Sequence, residues 1–180
     1  MGKHFAEVDS EGPTLVNYQL TFWRLALGQF AKIADCLASY GVDDAEDNSE
    51  TEGEEVVYDY KDFAQDAAVA IVLAGTSVAE IVGQNVSPSV TKKGMDTPFL
   101  GPAIETMFGS GAVPPDVKRF IVAYNALRHF GPAKYAVVRD ITARDFCEYM
   151  TAAQTVWQVV LRKCGRPVKS EFQRKFALES

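Results

Sequence analysis

The sequence has few of the residues that build metal sites or disulfide scaffolds. Two histidines and three cysteines occur in 180 residues. The cysteines Cys36, Cys147 and Cys164 are widely spaced and odd in number, and no Cys/His spacing typical of a zinc site is present. We therefore predict no metal and no other cofactor. A reduced, cytoplasmic protein fits this cysteine usage better than a disulfide-stabilised one.

Targeting signals and long apolar runs are also scarce. The opening residues lack the apolar core of a secretory signal peptide. The longest apolar candidate, residues 67–74, is far too short to span a bilayer, so we expect no membrane contact. A P-loop, a nucleophile elbow and a dinucleotide fingerprint are all absent from the sequence.

What the sequence does contain is helical periodicity along most of its length. Apolar residues recur at three- and four-residue steps, which predicts one all-α domain over residues 1–180. We expect an up-and-down bundle of four main helices plus short ones. The predicted helices cover residues 13–40, 58–84, 99–108, 117–131 and 142–164.

Two large aromatic residues lie off the apolar stripe of the first predicted helix. Trp23 and Phe30 indicate either that this helix is buried on more than one side or that they mark a dimer face. Large exposed aromatic side chains are uncommon on monomers, so both interpretations are physically reasonable.

An acidic segment separates the first two predicted helices. Residues 41–57 contain eight Asp and Glu and no Lys or Arg, with almost no apolar side chains to bury. Such a segment is typically a solvated, mobile loop. The functional alternatives are mimicry of nucleic acid or the docking of a basic protein partner.

The C-terminal third has the opposite charge. From Lys118 to Lys175 there are twelve Lys and Arg against four Asp and Glu, and residues 166–180 form a basic tail. The net charge of −6 for the whole chain hides this excess. A surface that binds RNA needs such cations, because phosphate neutralisation supplies most non-specific affinity. The alternative is that the charges are scattered over exposed helix faces.

The helix predicted at residues 117–131 carries the best candidate site. Asn125 and His129 are four residues apart, so they lie one turn apart beside the apolar stripe. An imidazole titrates near neutrality and can act as a general acid or base. The alternative is that His129 caps the carbonyl groups of its own helix end.

The pattern Tyr124-Asn-Ala-Leu-Arg-His129-Phe-Gly, followed by a loop and a long helix from Thr142, resembles the C-terminal half of HEPN domains. These are small all-α domains, and many are metal-independent ribonucleases of toxin–antitoxin and phage-defence systems. Their motif is an Arg, commonly followed by Asn, with a His a few residues later. Asn125 and His129 match this motif, whereas Tyr124 stands at the position of the Arg.

The resemblance implies an RNA substrate and a homodimer in which two sites meet. His129 would transfer the proton, Asn125 would orient the imidazole or hold a phosphate oxygen, and Arg128 would supply the missing cation. The further candidate RNA contacts are Arg119, Tyr124 and Lys134.

Two functions from different classes follow from these patterns. The first is a HEPN-like RNA-binding protein or metal-independent endoribonuclease. The second is a non-catalytic, degenerate HEPN-like protein that binds a protein partner, with the acidic segment 41–57 as the candidate contact. The basic C-terminal third favours the first, and Tyr124 in place of the motif Arg favours the second.

Overall fold

Five α-helices make up most of the computed structural model, which describes residues 6–9, 12–15, 18–40, 60–85, 100–128 and 141–178. The helices are α1 (Tyr18–Tyr40), α2 (Tyr60–Asn85), α3 (Leu100–Phe108), α4 (Pro115–Arg128) and α5 (Ala143–Lys163). A short 3-10 helix (Ser170–Phe172) follows α5. The predicted all-α character is confirmed for the residues from 18 onwards that the structure describes. The acidic segment 41–57 lies outside them.

A small hairpin precedes the first helix and was not expected from the sequence. Strands β1 (Ala6–Asp9) and β2 (Gly12–Leu15) pair antiparallel, with Ala6 opposite Leu15. The prediction that the first helix begins at residue 13 is therefore wrong, since α1 begins at Tyr18. Pro13 and Leu15 suit a helical first turn, but so short a stretch cannot distinguish a helix from a strand.

Helix α2 lies at the centre of the bundle and contacts α1, α3, α4 and α5. Small side chains line its buried surface, and they allow neighbouring helices to approach closely. These residues are Ala67, Ala70, Ala74, Gly75 and Ser77.

Helices α1 and α2 run antiparallel. Near the beginning of α1 and the later half of α2, the Ser77 hydroxyl donates a hydrogen bond to the carbonyl oxygen of Gln19 at 2.6 Å. Further along α1, the Gln29 amide donates to the Asp66 carboxylate at 2.7 Å. The order of the two contacts fixes opposite directions, as an up-and-down bundle requires for consecutive helices.

Helices α2 and α5 run parallel. Near their beginnings, the rings of Phe63 and Phe146 meet edge to face at 6.2 Å between centroids. At their ends, the Cys164 thiol donates a hydrogen bond to the Asn85 side-chain oxygen at 3.0 Å. The two helices therefore end on the same side of the bundle.

Helix α4 runs in the same direction as α5, which differs from the predicted up-and-down order. Arg119, near the beginning of α4, bonds to Asp145 and Glu148 in the first turns of α5. Tyr124, one to two turns later, packs against Gly75 in the later half of α2. Consecutive helices α4 and α5 are thus not antiparallel, because both begin on the same side of the bundle.

The predicted N-terminus of the last helix is confirmed. Thr142 caps α5, and its hydroxyl accepts a hydrogen bond from the Asp145 backbone N–H at 3.1 Å. The Asp145 carboxylate in turn accepts one from the Thr142 backbone N–H. This reciprocal capping box satisfies two N–H groups that the first turn of a helix leaves without a partner.

The residues after α5 fold back over the bundle. We call residues 170–178 the C-terminal segment. Phe172 stacks on Trp23 with 5.6 Å between ring centroids, and Phe176 meets Phe30 at 5.0 Å. The interpretation that α1 is buried on more than one side is confirmed by these contacts, since this chain itself covers both Trp23 and Phe30.

Helix α2 contains a longer apolar stretch than the residues 67–74 expected from the sequence. Residues 61–85 are long enough to cross a membrane, and an 18-residue window within them has a mean hydropathy of 1.6. The expectation that no stretch reaches this length and apolarity is therefore wrong. Half of that window is buried inside the fold, as in the core helix of a soluble protein, so the composition is weak support for a membrane span.

Replacing Gly75 by Ala should destabilise the fold, because a Cβ there would lie 2.1 Å from a ring carbon of Tyr124. Overpacking of this kind typically costs about 1–3 kcal/mol. Urea unfolding followed by circular dichroism measures it.

The matched control is Gly28→Ala in α1, where an added Cβ meets nothing within 4 Å. That change should stabilise the protein by about 0.5–1 kcal/mol through helix propensity. Equal unfolding midpoints for the two variants would show that the Tyr124 contact imposes no constraint.

Candidate functional site

Two of the candidate catalytic residues lie in the last turn of α4. Asn125 is half-buried, and Arg128 is exposed at the end of the helix. His129 and Lys134 lie outside the described residues. The structure therefore places the amide and the guanidinium of the predicted site on one helix end, and the imidazole follows Arg128 directly in the sequence.

Tyr124 belongs to the core. Its side chain is only 2% exposed. The ring lies against Gly75 on one side and stacks with Phe120 at 6.5 Å between centroids. The position that holds Arg in the HEPN motif therefore points into this bundle, and the Tyr124 ring has no accessible face for an RNA base.

Arg119 is engaged by two carboxylates. Its guanidinium donates to Glu148 at 2.7 Å and to Asp145 at 2.6 Å, and it lies 5.8 Å from the centre of the Tyr149 ring. The hydrogen bond to Glu148 is the main reason that the pKa of Arg119 is raised. Its charge is compensated within the fold, so it has less to offer a phosphate than a cation without partners.

The same contacts stabilise the charged forms of both carboxylates. The Thr142 hydroxyl is the main cause that lowers the pKa of Asp145, with Arg119 contributing further. Hydrogen bonds from Arg144 and then Arg119 lower the pKa of Glu148. The two carboxylates are half-buried but both arginines are exposed, so solvent screens the interaction. The ion pairs of Arg119 with Asp145 and Glu148 join the first turns of α4 and α5, so their role is structural.

A largely apolar cleft of about 530 Å³ lies beside these ion pairs, between the start of α5 and residues 176–178. Asp116, near the beginning of α4, also lines it. Arg128 is twelve residues further along that helix, about 18 Å away. Cys147 lies in the cleft, and burial raises the pKa of its thiol, which disfavours the nucleophilic thiolate. The cleft is therefore separate from the predicted catalytic residues.

Charges between residues 141 and 178 fall into two populations. The three acidic side chains Asp145, Glu148 and Glu171 all form ion pairs. Six exposed cations form none with another described residue. We call these six the basic C-terminal surface: Arg162, Lys163, Arg166, Lys169, Arg174 and Lys175.

The sequence analysis did not find the residues that hold the C-terminal segment. Gln154 of α5 bonds to both backbone polar groups of Arg174, and Gln158 donates to the carbonyl oxygen of Phe172 at 2.6 Å. The available signal was a pair of glutamines four residues apart on the apolar side of α5. Phe172 and Phe176 share the same four-residue spacing.

Comparison with other proteins leaves the family open, because no family model, curated protein or solved structure matches this chain. The resemblance to HEPN domains therefore stays a prediction. Within the part of the chain that the structure describes, no group of three or more His, Cys, Asp and Glu side chains is arranged to hold a metal ion.

Asp145→Asn should make the protein less stable near neutral pH and less sensitive to acid. The folded-state pKa values of Asp145 and Glu148 lie below their unfolded values of about 4. Their stabilisation is therefore present above pH 4 and is lost as the pH falls through the folded values. Urea midpoints at pH 7 and pH 3 should differ less for the variant than for the unsubstituted chain.

Glu105→Gln in α3 is the control, since it removes the same charge from an exposed side chain that makes none of these contacts. It should leave the acid sensitivity unchanged. Parallel pH dependences for Asp145→Asn and the unsubstituted chain would contradict the role of this carboxylate.

Proposed function

We propose that this chain is a HEPN-like RNA-binding protein whose basic C-terminal surface contacts the phosphate backbone. One observation carries the proposal: every described acidic side chain between residues 141 and 178 is ion-paired, whereas the six cations of that surface are exposed without such a pair. Cations without partners release the counterions of RNA at the lowest cost, because no internal salt bridge has to break.

The direction of the helices supports a link between this surface and the predicted catalytic residues. Tyr124 packs at Gly75, and Trp157 of α5 bonds to Ser77, two residues later on α2. Since α4 and α5 run the same way, Arg128 lies towards the end of the bundle where the last turn of α5 carries Arg162 and Lys163. A strand bound along the basic C-terminal surface would reach that end.

Replacing Arg162 and Lys163 by Ala should weaken RNA binding and reduce its salt dependence. Each phosphate contact contributes about 0.7 to the slope of log K against log salt for a single strand. Losing two contacts should therefore lower the slope by about 1.4, as measured by fluorescence anisotropy with a labelled RNA over a range of salt concentrations.

The matched control is Lys32→Ala with Arg119→Ala. It also removes two cations, but both are paired with carboxylates, Lys32 with Asp66 and Arg119 with Asp145 and Glu148. This variant should keep most of the affinity and the slope. If the slope of log K against log salt falls equally in both double variants, binding depends on net charge alone and the basic C-terminal surface has no special role.

The second candidate function is that of a non-catalytic HEPN-like interaction protein, and the burial of Tyr124 favours it. A cation at this position would have to sit in the core beside Gly75, where an unpaired charge is costly. Only Arg128 then remains at the described helix end to stabilise the charge that develops on the scissile phosphate.

Cleavage of a mixed RNA pool in EDTA separates the two candidates. Metal-independent cleavage that disappears in His129→Ala would identify a nuclease, and its loss in Arg128→Ala would show that this residue supplies the cation. RNA binding without cleavage would identify a non-catalytic RNA-binding protein. Neither binding nor cleavage, by variants as stable as the unsubstituted chain, would favour the interaction protein that binds a protein partner.

A further inference from the structure

We infer that Gln154 is a positioning residue that holds Arg174 ready to contact an RNA phosphate. The inference rests on the proposed function. It concerns how one part of the basic C-terminal surface is built, since Arg174 and Lys175 do not belong to a helix and are still held at defined places.

Two hydrogen bonds join the Gln154 side chain to the Arg174 backbone. The Gln154 amide nitrogen donates to the Arg174 carbonyl oxygen at 3.0 Å, and the Arg174 backbone N–H donates to the Gln154 amide oxygen at 3.0 Å. Gln154 is 6% exposed and is one of three buried polar side chains among the described residues. Two hydrogen bonds to one side chain fix both the position and the direction of the Arg174 backbone.

Glu171 and Phe172, just before Arg174, are also held in place. Phe172 lies between two indole rings, 4.4 Å from that of Trp157 and 5.6 Å from that of Trp23. Trp23 also donates its indole N–H to the carbonyl oxygen of Glu171 at 3.1 Å. The backbone is thus held at three nearby residues, while the Arg174 and Lys175 side chains remain exposed.

This arrangement has a direct consequence for binding. A cation on a free tail must lose conformational freedom when it contacts a phosphate, whereas a held backbone has already lost most of it. Gln154 lies eight residues before Arg162, about 12 Å along α5. The contact therefore extends the basic C-terminal surface along the helix and away from its end.

A double-mutant cycle on RNA affinity tests the inference, with the full chain and a labelled single-stranded RNA as the probe. Gln154→Met keeps the volume of the side chain and removes both hydrogen bonds. Gln154→Met and Arg174→Ala should each weaken binding about 2–10-fold, the range expected for ordering one side chain. The double variant should bind no more weakly than Arg174→Ala alone.

Gln158→Met is the matched control. It removes the bonds to the Phe172 carbonyl oxygen and to the Arg162 side chain and leaves the Arg174 contact intact, so any loss of RNA affinity should be the same with and without Arg174→Ala. Tryptophan emission from Trp23 and Trp157 reports whether the C-terminal segment stays in place in each variant.

Three results would overturn the inference. Additive losses in the cycle would show that Gln154 and Arg174 act independently. If the loss in Gln158→Met also disappears in the Arg174→Ala background, general docking of the segment matters and the contact between Gln154 and Arg174 does not. If the unsubstituted chain binds no RNA even at low salt, the proposed function fails together with the inference.

Discussion

The fold depends on the close packing of four helices around α2, which only small side chains permit. At its centre the Ser77 hydroxyl accepts a hydrogen bond from the Trp157 indole and donates one to the Gln19 carbonyl oxygen. Ser77 is fully buried, so an unpaired hydroxyl there would be costly. One side chain therefore sets the register of both α1 and α5 relative to α2, and a shift of either helix would break a bond that water cannot replace.

The same constraint determines which way α4 faces. The Tyr124 ring fills the space that Gly75 leaves open, and this fixes the rotation of α4 about its axis. Asn125 then lies at the edge of the core and Arg128 in solvent. The departure from the HEPN motif is thus more than a change of one side chain, because the position of the motif Arg is a packing position in this bundle. The chemistry proposed for this helix end would therefore have to rely on groups further along the helix.

Periodicity in the sequence identifies buried faces, but not the partners that bury them. The capping pair Thr142 and Asp145 lies within one turn and was therefore predictable, as was the placing of Asn125 beside the apolar stripe. The direction of α4 against α5 depends on tertiary packing, and so does the neutralisation of Arg119 by carboxylates more than twenty residues away. The only sequence signal for the contact between Gln154 and the Arg174 backbone is the pair of glutamines four residues apart on α5, which does not reveal their partners. His129, the centre of the predicted chemistry, lies outside the described residues and stays a prediction.

Charge and packing are coupled most closely in the C-terminal segment. Phe172 is a core residue, stacked between Trp23 and Trp157, yet exposed cations lie on both sides of it in the sequence. Glu171, the acidic residue among these cations, is paired with Arg24 of α1. This ion pair helps to dock the C-terminal segment and also neutralises the negative charge of Glu171. Exposed cations can be replaced with little effect on the core, whereas any change that releases Phe172 also releases Arg174 and Lys175. The part of the basic C-terminal surface that Arg174 and Lys175 form is therefore a consequence of how the core is closed.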